Sequence, residues 1–161
     1  MASRKNVQDT HISAQMKALH GALISIASTL NRPQNDENMI QKAGIRLDRA
    51  LFSVLVSIER LGPVGIVELA DRTGRDYTTI SRQVAKLESL GLARRHENAQ
   101  DRRIREALVT PEGKAMTDRI DAARERMART IFKDWTADEI GSFVAQLRRF
   151  ADALEKEAQR S

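Results

Sequence analysis

Between Arg75 and Arg105 the chain gathers eight basic residues: Arg75, Arg82, Lys86, Arg94, Arg95, Arg102, Arg103 and Arg105. Only four acids, Asp76, Glu88, Glu97 and Asp101, stand among them. That surplus makes up nearly the whole net charge of +5 on a chain of 161 residues. A merely solvated surface would spread its charge, whereas a phosphate-binding face needs it localised. Helical spacing sorts the first half of this stretch into two faces. At about 100° per residue, Ile80, Val84 and Leu87 fall on one side, and Arg75, Thr78, Thr79, Arg82, Lys86 and Ser89 point away from it. Every outward residue can donate a hydrogen bond and none is acidic, which suits the electron-rich edges of a major groove. Arg82 has the fork geometry for bidentate guanine readout, and Thr78 and Thr79 could meet thymine methyls or phosphates. Ser81 is counted with this DNA-binding set. Tyr77 lies nearer the apolar side, so its ring is expected to pack while its hydroxyl reaches a phosphate. For one residue a plain surface helix would explain as much, but for the whole set beside an Arg-rich hairpin the DNA reading outweighs it.

Other chemistries lack their residues. There is no cysteine, which removes disulfides, thiolate nucleophiles and cysteine-ligated metals together. His11, His20 and His96 are isolated, with no pair at i,i+4, so no metal site is expected. No serine sits in a nucleophile-elbow context and no glycine loop could cradle a phosphate, so neither an enzyme nor a cofactor is expected. Aromatics at 4% are too few for stacking platforms that hold single strands. Met1 to Thr10 is polar, and no apolar run approaches the roughly 20 residues of a membrane span, so a soluble, cytoplasmic protein without membrane contact is expected.

The elements that must position the basic residues follow from local signals. Leu69 and Ala70 lie on a short helix, Gly74 comes four residues after Ala70, and Ile80 ten after it. A helix-turn-helix needs this arrangement: a small residue where two helices cross, a glycine in the turn, and an apolar residue locking the second helix onto the first. The first helix is expected at Val64–Arg72 and the second at Asp76–Leu90, capped by Asp76 and ended by Gly91. Leu92–Glu97 and Ile104–Val109 read as two strands joined by a tip at Asn98–Arg103, which supplies a wing. Thr110-Pro111-Glu112 then combines a hydroxyl cap, a proline at the first helical position and an acid facing the helix dipole.

Upstream, Ile12, Met16, Leu19, Leu23, Ile26 and Leu30 form a narrow helical seam, followed by a loop at Asn31–Asn38 and one helix from Met39 to Arg60. Leu47, Leu51, Leu55 and Ile58 line its face, widened by Phe52, Val54 and Val56, and Gly62-Pro63 ends it. Downstream, Met116, Ile120, Ala123, Met127 and Ile131 make a second stripe. Thr136 to Glu139 has capping-box spacing and opens a last helix carrying Ile140, Phe143, Val144, Leu147, Phe150 and Leu154. A seam at each end exceeds what one core of this size uses. An intertwined homodimer explains it better than a monomeric bundle, with Trp135 filling the dimer core. The fold class is therefore mainly α with a small β wing: a winged helix-turn-helix with N- and C-terminal dimerisation helices.

These residues resemble the MarR family of bacterial regulators. The resemblance rests on Leu69-Ala70, Thr79 to Arg82 (TISR), Leu87-Glu88, Gly91-Leu92, Arg94 or Arg95, Asp101-Arg102-Arg103 and Thr110 to Gly113 (TPEG), in the family's order and spacing over about Leu47 to Gly113. It implies one MarR-type domain over 1–161, with dimerisation helices at 12–30 and 111–158 and a DNA-binding lobe at 47–110. It implies that Asp101 pairs with Arg103 to stiffen the wing while another wing arginine, Arg102 or Arg105, enters the minor groove. Arg95 and Arg103 join the DNA-binding set on the same grounds. It also implies a pocket for a small aromatic or anionic effector between dimer helices and DNA-binding lobe, where His20 and Arg46 are candidates. Two departures bear on packing: Thr73 and Arg75 stand where the family usually has apolar residues, and Ala107-Leu108-Val109 is a continuous apolar run.

The function expected is a ligand-responsive repressor that binds a palindromic operator in double-stranded DNA as a homodimer. The alternative is a winged-helix protein-interaction module without DNA binding, whose recognition face would be acidic or apolar.

Overall fold

The computed structural model describes the backbone of residues 3–160 and the side chains of residues 13–160. The side chains of His11 and Ile12 lie outside the described residues. The chain runs α1 (Ser3–Leu30), α2 (Pro33–Ala43), α3 (Arg49–Leu61), β1 (Val64–Gly65), α4 (Ile66–Thr73), α5 (Tyr77–Ser89), β2 (Ala93–Glu97), β3 (Arg105–Val109), α6 (Pro111–Ile131) and α7 (Ala137–Ala158). It divides into two compact units, Met1–Asp121 and Ala122–Ser161.

The expected single helix over Met39–Arg60 is two helices. Gly44 ends α2 at a φ of +62°, a left-handed conformation that costs glycine nothing. Asp48 then starts α3 by accepting the Leu51 N–H at 3.0 Å. Most of the loop expected at Asn31–Asn38 belongs to α2, because Pro33 occupies a first-turn position and starts the helix rather than breaking it. The joint after α2 is fastened from α6, where Arg119 donates to the Gly44 carbonyl at 2.5 Å.

The first motif helix begins at Ile66, two residues later than expected, since Val64 and Gly65 form a third strand. β1 pairs antiparallel with β3 through Val64 opposite Ala107 and Gly65 opposite Glu106, and β2 pairs with the other edge of β3. The strand was invisible because two residues carry no period. Beneath the sheet Val54, Leu55 and Ile58 of α3 join Leu69, Ile80, Val84, Leu87 and Ala107 in one core. The face assigned to burial on α5 is the one buried. Ala107, central in β3 and first in the apolar run 107–109, is the residue of that strand that faces this core, with Leu108 and Val109 partly covered.

In the second unit, Thr136 and Glu139 form the capping box that opens α7, and the Glu139 carboxyl is held below its usual range chiefly by the Thr136 backbone N–H. Phe132, Trp135 and Phe143 stack edge-on around that corner, with Trp135 5.2 Å from Phe132 and 5.6 Å from Phe143. Among the described residues, no helix is long and apolar enough to cross a membrane.

Candidate nucleic-acid interface

α4 and α5 meet at a turn built by backbone bonds. Gly74 takes a φ of +62°, and Arg75 donates its N–H to the Ala70 carbonyl at 3.0 Å. Thr73, one of the two departures, folds its hydroxyl back onto the Leu69 carbonyl at 2.7 Å, so a polar residue fits where an apolar one is usual. Arg75, which shares that departure, stays exposed and donates to Gln83 at 3.4 Å.

Asp76 caps α5. It accepts the Thr79 N–H at 2.8 Å and the Thr79 hydroxyl at 2.6 Å. These bonds, the hydroxyl first, hold its carboxyl below the usual range. The cap therefore uses up the acid that opens the helix, and it also employs the hydroxyl proton of Thr79, which had been expected to face outward. Thr78, Arg82, Lys86 and Ser89 are exposed, and Ser81 is half-buried. Ser89 turns its hydroxyl to the Lys86 carbonyl at 2.7 Å. The Tyr77 ring, expected to pack, is 55% exposed and borders a cleft of about 550 Å³ between the start of α4 and the wing. The reason is its place at the first position of α5, before the helix settles onto the core.

The arginines divide into engaged and free. Arg95 is locked to Glu88 near the end of α5: its backbone N–H donates at 2.9 Å and its guanidinium at 2.7 Å. Arg95 thus ties the wing to α5, and its guanidinium is not free. Among the described residues, the side chains of Arg82, Lys86, Arg94, Arg102, Arg103 and Arg105 make no ion pair or hydrogen bond, and all are exposed. Asp101 does hold Arg103, but through the backbone: the Arg103 N–H donates to its carboxylate at 3.0 Å, and the guanidinium stays free. The expected side-chain pair is replaced because the tip is tight enough for the carboxylate to reach the main chain two residues on.

The sequence reading missed three residues here, Glu88, Asn98 and Glu106. Glu88 reads as dilution of the basic stretch and Glu106 lies just beyond it, so only the packing of β2 beside α5 and the pairing across the hairpin reveal their partners. His20 and Arg46 are both exposed, and neither lines the cleft bordered by Tyr77 or the one bordered by Arg49 and Arg75. No cluster of three or more potential metal ligands occurs among the described residues.

Residues 47–104, which span α3 through the wing tip, match the sequence model of the MarR family. The chain is similar to the MarR family over its winged helix-turn-helix. The uncharacterized HTH-type transcriptional regulator YxaD of Bacillus subtilis (strain 168) is 29% identical over 108 residues, covering 67% of this chain and 76% of YxaD. The crystal structure of MarR superposes with a TM-score of 0.60 at 27% identity, over 86% of this chain and 98% of that one. A Staphylococcus aureus MarR in complex with salicylate and kanamycin shares the fold, with a TM-score of 0.65 at 15% identity over 91% of this chain and 97% of that one. MarR-family proteins are transcriptional regulators rather than enzymes, and this chain has their winged-helix architecture. The TPEG block of the MarR resemblance also acquires a structural meaning. Thr110 donates its hydroxyl to the Gly91 carbonyl at 2.6 Å and accepts the Gly113 N–H at 3.0 Å, joining the end of the motif to α6.

Proposed function

We propose that this protein is a MarR-family repressor that binds a palindromic operator in double-stranded DNA as a homodimer and releases it on binding a small ligand. The observation that carries the reading is the free, acid-poor face of Arg82 and Lys86 on α5 beside the free arginines of the wing, both mounted on a fully buried core. In this reading α5 enters the major groove, where Arg82 reads a base and Thr78, Ser81 and Tyr77 meet the backbone or neighbouring bases. Arg75, Thr79 and Lys86 flank it, and Arg102, Arg103 or Arg105 reaches the adjacent minor groove. Selection from a random duplex library, followed by fluorescence anisotropy at several salt concentrations, tests it. A two-fold symmetric consensus with half-sites about one helical turn apart, roughly 34 Å, is the expected result. Equal affinity for all duplexes, or none for any, would refute it.

The dimer is supported by apolar seams left open on the single chain. Leu30 is 65% exposed and Ile26 48%, and no residue of α7 is buried, Val144 being 55% exposed. A monomer would leave these stripes in water at about 25 cal/mol for each Å². Helices 12–30 and 111–158 are therefore assigned to dimerisation, the lobe 47–110 to DNA, and the protein to the cytoplasm, where such a regulator meets its operator. Trp135, 44% exposed, belongs to the surface so covered.

Ligand response is supported by a polar cleft of about 430 Å³ in the first unit, lined by Asn31, Asp36, Arg49, Ser53, Arg75 and Gln83 among others. An anionic group there would engage Arg49 and Arg75, so effector and DNA would share a residue. His20 and Arg46 are not assigned to this cleft. The Staphylococcus aureus relative carries salicylate, an aromatic anion, which is the ligand class proposed here.

A further inference from the structure

The wing tip is held by a relay that begins at one acid. Glu106 lies across from His96 in the hairpin register, and its side chain is only 15% exposed although its neighbours Arg103, Ile104 and Arg105 are exposed. One carboxylate oxygen accepts the Asn98 side-chain amide at 2.5 Å, and the other lies 3.3 Å from His96 Nε2. With its amide so held, Asn98 turns its carbonyl oxygen into the tip, where it accepts the N–H groups of Gln100 at 2.8 Å and Asp101 at 2.9 Å. Its own N–H closes the loop on the Ile104 carbonyl at 2.9 Å, and Ile104 donates to the Asp101 carbonyl at 3.0 Å. Asp101 then accepts the Arg103 N–H. Each free arginine of the tip thus leaves a backbone whose direction traces to the Asn98–Glu106 bond.

An acid here has a cost. A carboxylate within a phosphate-binding hairpin repels DNA, and a wing selected for charge alone would gain by losing it. Its cover and its two partners point to another use. We propose that Asn98 and Glu106 are positioning residues for DNA binding: their hydrogen bond presets the tip so that Arg102 and Arg103 meet the minor groove without first ordering the loop. Ordering a flexible loop on binding would otherwise be subtracted from affinity. The inference rests on the DNA-binding reading above.

The donor and acceptor can be exchanged to test it. Asn98→Asp keeps the oxygen that caps the tip but sets two carboxylates against each other. Glu106→Gln alone still accepts from Asn98 and removes a negative charge. In the double variant Asn98→Asp/Glu106→Gln the glutamine amide can donate to the carboxylate introduced at position 98, and the net charge equals that of the wild type. Anisotropy with the selected duplex should show Asn98→Asp weakened about tenfold, with a shallower salt slope, since a lost arginine contact lowers that slope by about one. Glu106→Gln should bind at least as well as wild type, and the double variant should recover to within about threefold. The control is Asn98→Asp/Glu97→Gln, which restores the charge but offers the introduced carboxylate no donor from Glu106. Recovery by the control as full as by the exchange would mean that bulk charge alone matters, and would overturn the proposal. Amide hydrogen exchange on free protein gives a readout without DNA: Gln100, Asp101 and Arg103 should lose protection in Asn98→Asp and regain it in the exchanged pair. Unchanged protection in Asn98→Asp also overturns it. A wild type that binds no duplex refutes the DNA-binding reading instead, and the exchange data still decide whether the relay sets the tip.

Discussion

At the scale of single residues, what matters is which cations are free. Arg82 and Arg102 are both exposed and unengaged, but they sit on different elements and would do different work. Arg82→Ala should weaken specific binding by about 1–3 kcal/mol and relax base preference at one position in each half-site. Arg102→Ala should weaken binding more evenly across sequences, and competition with random duplex distinguishes the two patterns. Wild-type behaviour in both would remove the groove assignment. Asp76 belongs to the same scale. Its carboxyl is held below the ordinary value of 3.8 by bonds from Thr79, so its contribution to folding is complete above that value and is lost as pH falls through the lower, folded one. Acid titration followed by circular dichroism should show α5 loosening only below about pH 3.8, and Asp76→Asn, which caps without a charge, should lack that step. Loosening of α5 at higher pH would contradict the assignment.

At the scale of elements, rigid joints matter more than the elements. α5 and the wing are connected through Glu88 and Arg95, and the motif and α6 through Thr110. Gly113 makes the second joint possible. A Cβ there would lie 1.9 Å from the Leu92 carbonyl oxygen, a backbone atom that no rotamer change can move. Glycine to alanine inside a helix ordinarily gains about 0.8–1 kcal/mol. Here the clash should win, and Gly113→Ala should cost about 1–3 kcal/mol in denaturant unfolding. A neutral or stabilising result would mean that α6 can shift away from the motif without loss.

At the scale of the whole molecule, the open seams of α1 and α7 are what the proposed dimer would cover. Light scattering at micromolar concentration should give twice the chain mass. Val144→Glu, which places a charge on the exposed stripe of α7, should give the chain mass with unchanged helicity. A wild-type monomer that still binds its operator tightly would end the dimer reading. Ligand response belongs to this scale too, because it is a coupling between sites. An effector can displace the DNA equilibrium only by its difference in affinity for the two states, typically about 1–3 kcal/mol, and DNA must weaken the effector by the same factor. Calorimetric titration with salicylate, on free and operator-bound protein, measures both sides. Equal affinities would show that salicylate is no effector.

Periodicity and spacing made most of this legible in the sequence. The faces of α5, the turn at Gly74, the start of α6 at Thr110-Pro111 and the capping box at Thr136 are local features, each written in residues within a turn or two of one another. The basic stretch was legible because charge can be counted without knowing the fold. What the sequence could not determine were pairings over longer separations and elements too short to show a period. Strand β1 has two residues, and only its partner β3, about forty positions on, makes it a strand. The break at Gly44 lies within an apolar pattern that continues across it, so the pattern concealed the joint. Arg95 reads as one more free cation until Glu88 is found seven positions earlier on the helix beside it. Glu106, one residue past the basic stretch, has no visible role until the hairpin sets it against Asn98 and His96. The sequence determined how much positive charge this face carries. The tertiary structure decided which arginines keep theirs free, because an ion pair depends on distance in space and the chain lists only distance along itself.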